Sequence, residues 1–223
     1  MRHQIRIRML RWLGAILVLR VLLTILYDYP DYFPPDFESL FLQGREMTFV
    51  GVYKIAFYTH ILSAPFALVN GLVLLNESFR RLFPRIHRLF GRIQILVLLG
   101  LVLPSGVVMS RHSYGGWSAG LSFLMLSVVT AGCAIIGVVH ARNRCYTLHR
   151  RWMIRCYALI SSAVFLRLIS GAALVAGVAS AEEAYIFAAW SSWLAPLTLC
   201  FFLPRNPVEA VAGPEKTECA EWH

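Results

Sequence analysis

Arginine alternates from one connection to the next along this chain, and apolar runs fill the intervals. The N-terminal segment holds Arg2, Arg6, Arg8 and Arg11. The next polar stretch, DYPDYFPPDFESLFLQGREM, carries Asp28, Asp31, Asp36, Glu38 and Glu46 against Arg45. NESFRRLFPRIHRLFGR is basic again through Arg80, Arg81, Arg85, Arg88 and Arg92. RHSYGGWS has Arg111 alone, and HARNRCYTLHRRWMIR brings Arg142, Arg144, Arg150, Arg151 and Arg155. The fifth connection contains Glu182 and Glu183. The apolar runs are Met9–Tyr27, Val50–Leu75, Ile93–Ser110, Trp117–Ala141, Trp152–Gly177 and Tyr185–Leu203. Each is of the order of the 20 residues that a helix needs to cross a bilayer. Inside lipid a helix satisfies its own backbone, so the expected fold is an all-α bundle of six transmembrane helices. Basic flanks resist translocation, and every connection then agrees with both termini on the cytoplasmic side.

Composition narrows the function classes. Of 223 residues, 58% are hydrophobic and 15% charged, against about a quarter charged in soluble domains. The net charge of +9 flanks the spans instead of forming one basic surface, which argues against a nucleic-acid partner. Cys133, Cys145, Cys156, Cys200 and Cys219 show no C-x-x-C spacing, so neither a disulfide framework nor structural zinc is expected. The basic start has too long an apolar stretch, and no small-x-small site, for a cleaved signal. Residues 1–204 read as a single membrane domain with a core at about 50–177, and residues 205–223 as a short, disordered cytoplasmic tail. The first outer connection, rich in Pro, Tyr and Phe, suits the lipid–water boundary better than a ligand lid.

The third and fifth spans open alike, HRLFGRIQILVLLG from His87 and HRRWMIRCYALISS from His149. Spans 2–3 and 4–5 could therefore be a parallel repeat of two helical hairpins, although topology alone can also generate such openings.

No Asp or Glu falls inside a predicted span, yet His60, Arg20 and Arg167 do. Lys54 and Arg155 lie near span ends and can snorkel. By helical rise, Arg167 stands roughly 22 Å and His60 roughly 24 Å from the cytoplasmic side, so they can meet at one level. His60 shares its face with Ala56, Ala64, Ala67 and Gly71, small residues that admit another helix. His60, Arg167 and Arg20 are the candidate polar core, serving either as interhelical glue or as a ligand site. His87, Arg88, Arg92, His149, Arg150 and Arg155 form a candidate cluster at the cytoplasmic face, where His87 and His149, each followed by Arg, suit contact with interfacial phosphate better than ligation. His140 suits a helix C-terminus, and His112 is expected to be solvated.

At these residues the chain resembles the bacterial membrane proteins of domain-of-unknown-function family 2306. The resemblance rests on His60 in HILSAPFALVNG, HRLFGR from His87 to Arg92, and HRRWMIRCYAL from His149 to Leu159 followed by Arg167. It covers roughly residues 58–171. Gln94 departs from the aromatic expected after HRLFGR. The resemblance implies a multi-pass protein of the bacterial inner membrane and marks residues without supplying a mechanism.

Three functions are open. One is a membrane redox module with b-type haem, held by His87 and His149 with arginines on the propionates. Another is binding or transport of an anionic amphiphile, a lipid, fatty acid or quinone, with Arg167 and Arg20 at its head group. The third is a structural or assembly subunit whose partners are membrane lipid and other membrane proteins. Motifs of hydrolases, zinc peptidases and phosphate loops are missing.

Overall fold

The computed structural model describes residues 2–39, 41–177 and 180–202. The helices are α1 (Arg2–Tyr27), α2 (Gly51–Leu74), α3 (Glu77–Leu82), α4 (Pro84–Val97), α5 (Leu103–Ser110), α6 (Gly116–Arg142), α7 (Tyr146–Ile160), α8 (Ser162–Ala176) and α9 (Ala181–Phe202). A π-helical turn, Leu98–Val102, joins α4 to α5 without a break. Among the described residues six stretches are long and apolar enough to cross a membrane: Leu13–Asp31, Gly51–Leu74, Pro84–Ser110, Gly116–Arg142, Tyr146–Ala173 and Ala181–Phe201. The chain is all-α with six candidate spans, as its charge alternation predicts. The expected tail, residues 205–223, lies outside the described residues.

The two largest departures from the sequence reading are at span starts. The third span starts at Pro84, not Ile93, and the fifth at Tyr146, not Trp152. Helical geometry tolerates arginine well, and a 27-residue helix extends about 40 Å. That exceeds the roughly 30 Å hydrocarbon layer, so HRLFGR and HRRWMIR are first turns of spans and not loops. Pro84 suits this start because the first helical position needs no N–H. The short α3 is set by Asn76, whose side chain accepts from the Ser78 and Phe79 amides at 2.9 and 3.2 Å, an N-cap.

Helices α6 and α7, α8 and α9, and α2 and α5 pack as close neighbours. Their shared core holds Ala67, Leu98, Val102, Ala134, Leu159 and Trp193. Small residues allow this approach: a Cβ on Gly137 would lie 2.1 Å from the Met153 methyl. The Trp193 indole donates to Ser122 at 2.9 Å, and Ser122 donates to the Ala189 carbonyl at 2.8 Å, tying α6 to α9. Gly115, at φ +82°, turns the chain into α6, where a Cβ would meet Ile186 at 2.8 Å. α1 leans on the bundle through Val21, against Leu68 and Val164, and leaves much of its surface uncovered.

The aromatic connection after α1 folds onto the end of α2. Tyr32, Leu42 and Phe49 are buried against Tyr53 and Phe57. Tyr29 donates to the Ile61 carbonyl, and Tyr58 donates to the Tyr32 carbonyl at 2.9 Å. Arg45 donates to the Tyr53 hydroxyl at 2.8 Å and to the His112 carbonyl at 2.6 Å. The segment is therefore a packed cap on the helices, and not only a boundary anchor. Among the described residues Cys133, Cys156 and Cys200 are free.

Candidate functional site

His60 and Arg167 each stand nine positions from the capped end of their helices, Gly51 for α2 and Ala176 for α8. Both therefore lie roughly 14 Å from that end, at one level. The His60 Nδ1 is 3.2 Å from the Val102 carbonyl and 3.1 Å from the Ser105 hydroxyl. A carbonyl can only accept, so in this contact Nδ1 carries the hydrogen. Ser105 spends its own hydrogen on the Leu101 carbonyl at 2.6 Å, which leaves its oxygen to accept from His60. Neutral His60 then presents a lone pair at Nε2. Its ring is set deep among the helices yet retains some accessible surface.

Arg167 is exposed on the flank of the bundle, but its head is crowded by protein. It donates to the Ala163 carbonyl at 3.3 Å, one turn back on its own helix. Its charge is felt at His60, Tyr29, Tyr32 and Tyr185. Asp28 contributes from the cap, although among the described residues no carboxylate comes within 4.0 Å of the guanidinium. At the cap, burial and then the nearby Asp28 push the Tyr32 phenol up to about 12, with Arg167 pulling the other way.

Arg20 is not brought to this pair. Leu17, Val18, Val21 and Ile25 form the stripe that packs inward, so Arg20 falls on the outer face of α1 in a shallow groove with Ile16, Leu19, Leu23, Thr24 and Tyr27.

The opposite, arginine-rich end holds the second cluster. His87 is the fourth residue of α4 and His149 the fourth of α7, and the charge of His149 acts on His87. The His149 Nδ1 donates to the Gly137 carbonyl at 2.8 Å, while the His87 Nδ1 is buried without a hydrogen-bond partner. Glu77 accepts from Arg81 and pairs with Arg80 at 3.8 Å and Arg150 at 3.7 Å, so it links α3 to α7. The Arg81 hydrogen bond, first among several guanidinium contacts, holds the Glu77 carboxyl below its usual range. Arg88 acts on His87, and Arg92 is exposed. Arg155 leaves the cluster altogether, with its guanidinium 4.7 Å from the Trp152 ring centre and 4.2 Å from that of Phe201.

The residues do not fit a haem buried between these two imidazoles. A ligating imidazole normally gives its second N–H to an acceptor, and the buried His87 Nδ1 has none. Further in, the Tyr157 ring packs so closely that a Cβ on Gly71 would lie 2.7 Å from it, with Gln94 at 3.5 Å. That interior is filled.

Sequence reasoning missed the polar link between α2 and α4. Gln94 is buried, donates to the Ala67 carbonyl at 2.9 Å, and accepts from Asn70 at 2.8 Å; Asn70 also donates to the Phe90 carbonyl at 3.2 Å. The glutamine where an aromatic was expected is thus a hydrogen-bonding residue. Two amides one helical turn inside apolar runs were the available signal. Tyr29, Tyr32 and Tyr185 were missed as neighbours of Arg167 because they come from the first connection and from α9, outside α8 in sequence.

The motifs that carry these clusters fall within one matched region: residues 57–203 fit the family described as predicted membrane protein, DUF2306. The chain belongs to the DUF2306 family. The matched region of this DUF2306 protein contains His60, both H-R helix starts and Arg167, while α1 and the Tyr29–Phe49 cap precede it. No curated protein and no protein of solved structure matches the chain.

Proposed function

We propose that this DUF2306 protein binds an anionic amphiphile, with the ligand's head between Arg167 and His60 and its tail along the flank of α8. The observation that carries this reading is a guanidinium inside the fifth span, reachable from the side, with no carboxylate partner within ion-pair distance among the described residues. An arginine within a membrane span is costly without an anion. An ionised head would pair with Arg167, and the protonated form would donate to the His60 Nε2. Fatty acids and quinols share this oxygen chemistry.

In this reading the arginine-rich end faces the cytoplasm, with both termini there, in a bacterial inner membrane. Residues 1–204 act as one membrane domain whose partners are lipids and other membrane subunits, without nucleic acid. Arg20 stays outside the site.

The test is a titration of purified protein in neutral-lipid nanodiscs with a spin-labelled fatty acid and, separately, a short-chain quinol. Saturable immobilisation of one of these probes, weakened at least about tenfold by Arg167→Leu and partly restored by Arg167→Lys, is expected. Equal binding by the wild type and Arg167→Leu would remove the proposal.

A further inference from the structure

The histidine pair at the arginine-rich end has no role in that reading. We infer that His87 and His149, with Arg88 and Arg150, form a phosphate-binding site at the surface of the bundle. Its ligand is a phosphate anion, either free or carried by a phospholipid head group.

Three observations converge. First, the His87 Nδ1 is buried and lacks a partner, and such a group is costly unless something bonds it. Second, the His149 Nδ1 is committed to the Gly137 carbonyl, which fixes the ring and leaves Nε2 as its other polar atom. Third, the positive groups outnumber their partners. Glu77 is shared among Arg80, Arg81 and Arg150, and His87 sits in the combined field of His149, Arg80 and Arg88. A cation is repelled here. An anion with several acceptor oxygens accepts from the imidazoles and from the arginine forks together. Both histidines also occupy the fourth position of helices that start at this end, so two helix dipoles add to the same attraction. The matching H-R openings of α4 and α7, which the sequence alone could attribute to topology, here face one ligand from two sides.

The experiment uses full-length protein in phosphatidylcholine nanodiscs, with thermal unfolding as the readout. One arm titrates inorganic phosphate against chloride at equal ionic strength. The other replaces part of the phosphatidylcholine with phosphatidylglycerol and counts lipid retained by native mass spectrometry. Saturable stabilisation by inorganic phosphate assigns a free ligand. Retention of phosphatidylglycerol without a phosphate response assigns a lipid head group. Either supports the site, provided that His87→Asn or Arg88→Gln weakens binding at least about tenfold and Arg85→Gln, an equal charge change two positions from His87, weakens it less than about twofold. Arg88 is exposed, so its variant tests the site even where a histidine variant fails to fold. No saturable binding in either arm, or equal losses with Arg85→Gln and Arg88→Gln, would overturn the inference.

Discussion

The His60 Nδ1 lies 3.2 Å from the main-chain carbonyl of Val102, the last residue of the π-helical turn in the third span. Pro104 follows two residues later and has no N–H to return to that turn. The carbonyl that this missing donor frees lies one turn before Pro104; the Val102 carbonyl receives the Ser105 hydroxyl at 3.0 Å as well as the imidazole. Replacing His60 by Ala is expected to cost about 1–3 kcal/mol, because the carbonyl loses a donor inside the bundle. Ser105→Ala removes only the second acceptor and should cost about half as much or less. Detergent-resistant unfolding midpoints of the two variants give the ranking.

Gly71 and Gly137 predict opposite tolerances to the same change. A methyl group at Gly71 meets the Tyr157 ring at 2.7 Å, whereas at Gly137 it meets the terminal methyl of Met153 at 2.1 Å. A packed ring cannot withdraw, and a methionine end can. Gly71→Ala should destabilise by about 1–3 kcal/mol, and Gly137→Ala by clearly less despite the shorter distance. Equal losses would show that Met153 is as fixed as Tyr157.

Asn70 and Gln94 are coupled through one side-chain bond of 2.8 Å between buried amides. Gln94→Leu leaves the Ala67 carbonyl without its donor and is expected to cost about 1–3 kcal/mol. A double-mutant cycle with Asn70→Ala should return a coupling energy of at least about 0.5 kcal/mol. Strict additivity would mean that the two amides act separately.

Arg45 joins the cap to the turn before α6 through Tyr53 and His112. Arg45→Ala should leave the transmembrane bundle intact and raise protease cleavage within residues 29–49 severalfold, since charged hydrogen bonds contribute about 1.5–3 kcal/mol each. Limited proteolysis in nanodiscs reads the site of cutting directly.

Alkaline pH acts on the same cap through Tyr32. Its phenol is pushed from 10.0 to about 12, so the fold favours the protonated form. That contribution is fully present below pH 10 and is lost as pH rises toward 12. The phenolate difference spectrum between wild type and Tyr32→Phe should show a tyrosine that resists ionisation until the cap opens. Ionisation of Tyr32 near pH 10 with the cap still protected would contradict this.

Much of the architecture was readable from arginine placement alone, because lipid leaves the backbone few options and charge fixes which ends lie together. The failures have a common cause. Periodicity along one helix does not say which neighbour it will meet. Arg20 was grouped with the core although the Leu17–Val21–Ile25 stripe turns it away. Arg155 was grouped with His149 although two aromatic rings draw it aside. The packing of the cap is likewise invisible within its own segment, because its burial depends on Tyr53 and Phe57, which belong to the next helix.

The widened turn at Leu98–Val102 also sets a phase. A π turn contains one residue more than the α-helical path requires, which rotates everything after it by about 100°. Ser105 and Gly106 face His60 because of that offset. Deleting a single residue from the turn would straighten the span, swing both away from the imidazole, and present the next stripe of side chains instead. An added residue in a transmembrane helix, which usually registers as a blemish, is here what aims one half of the third span at the second.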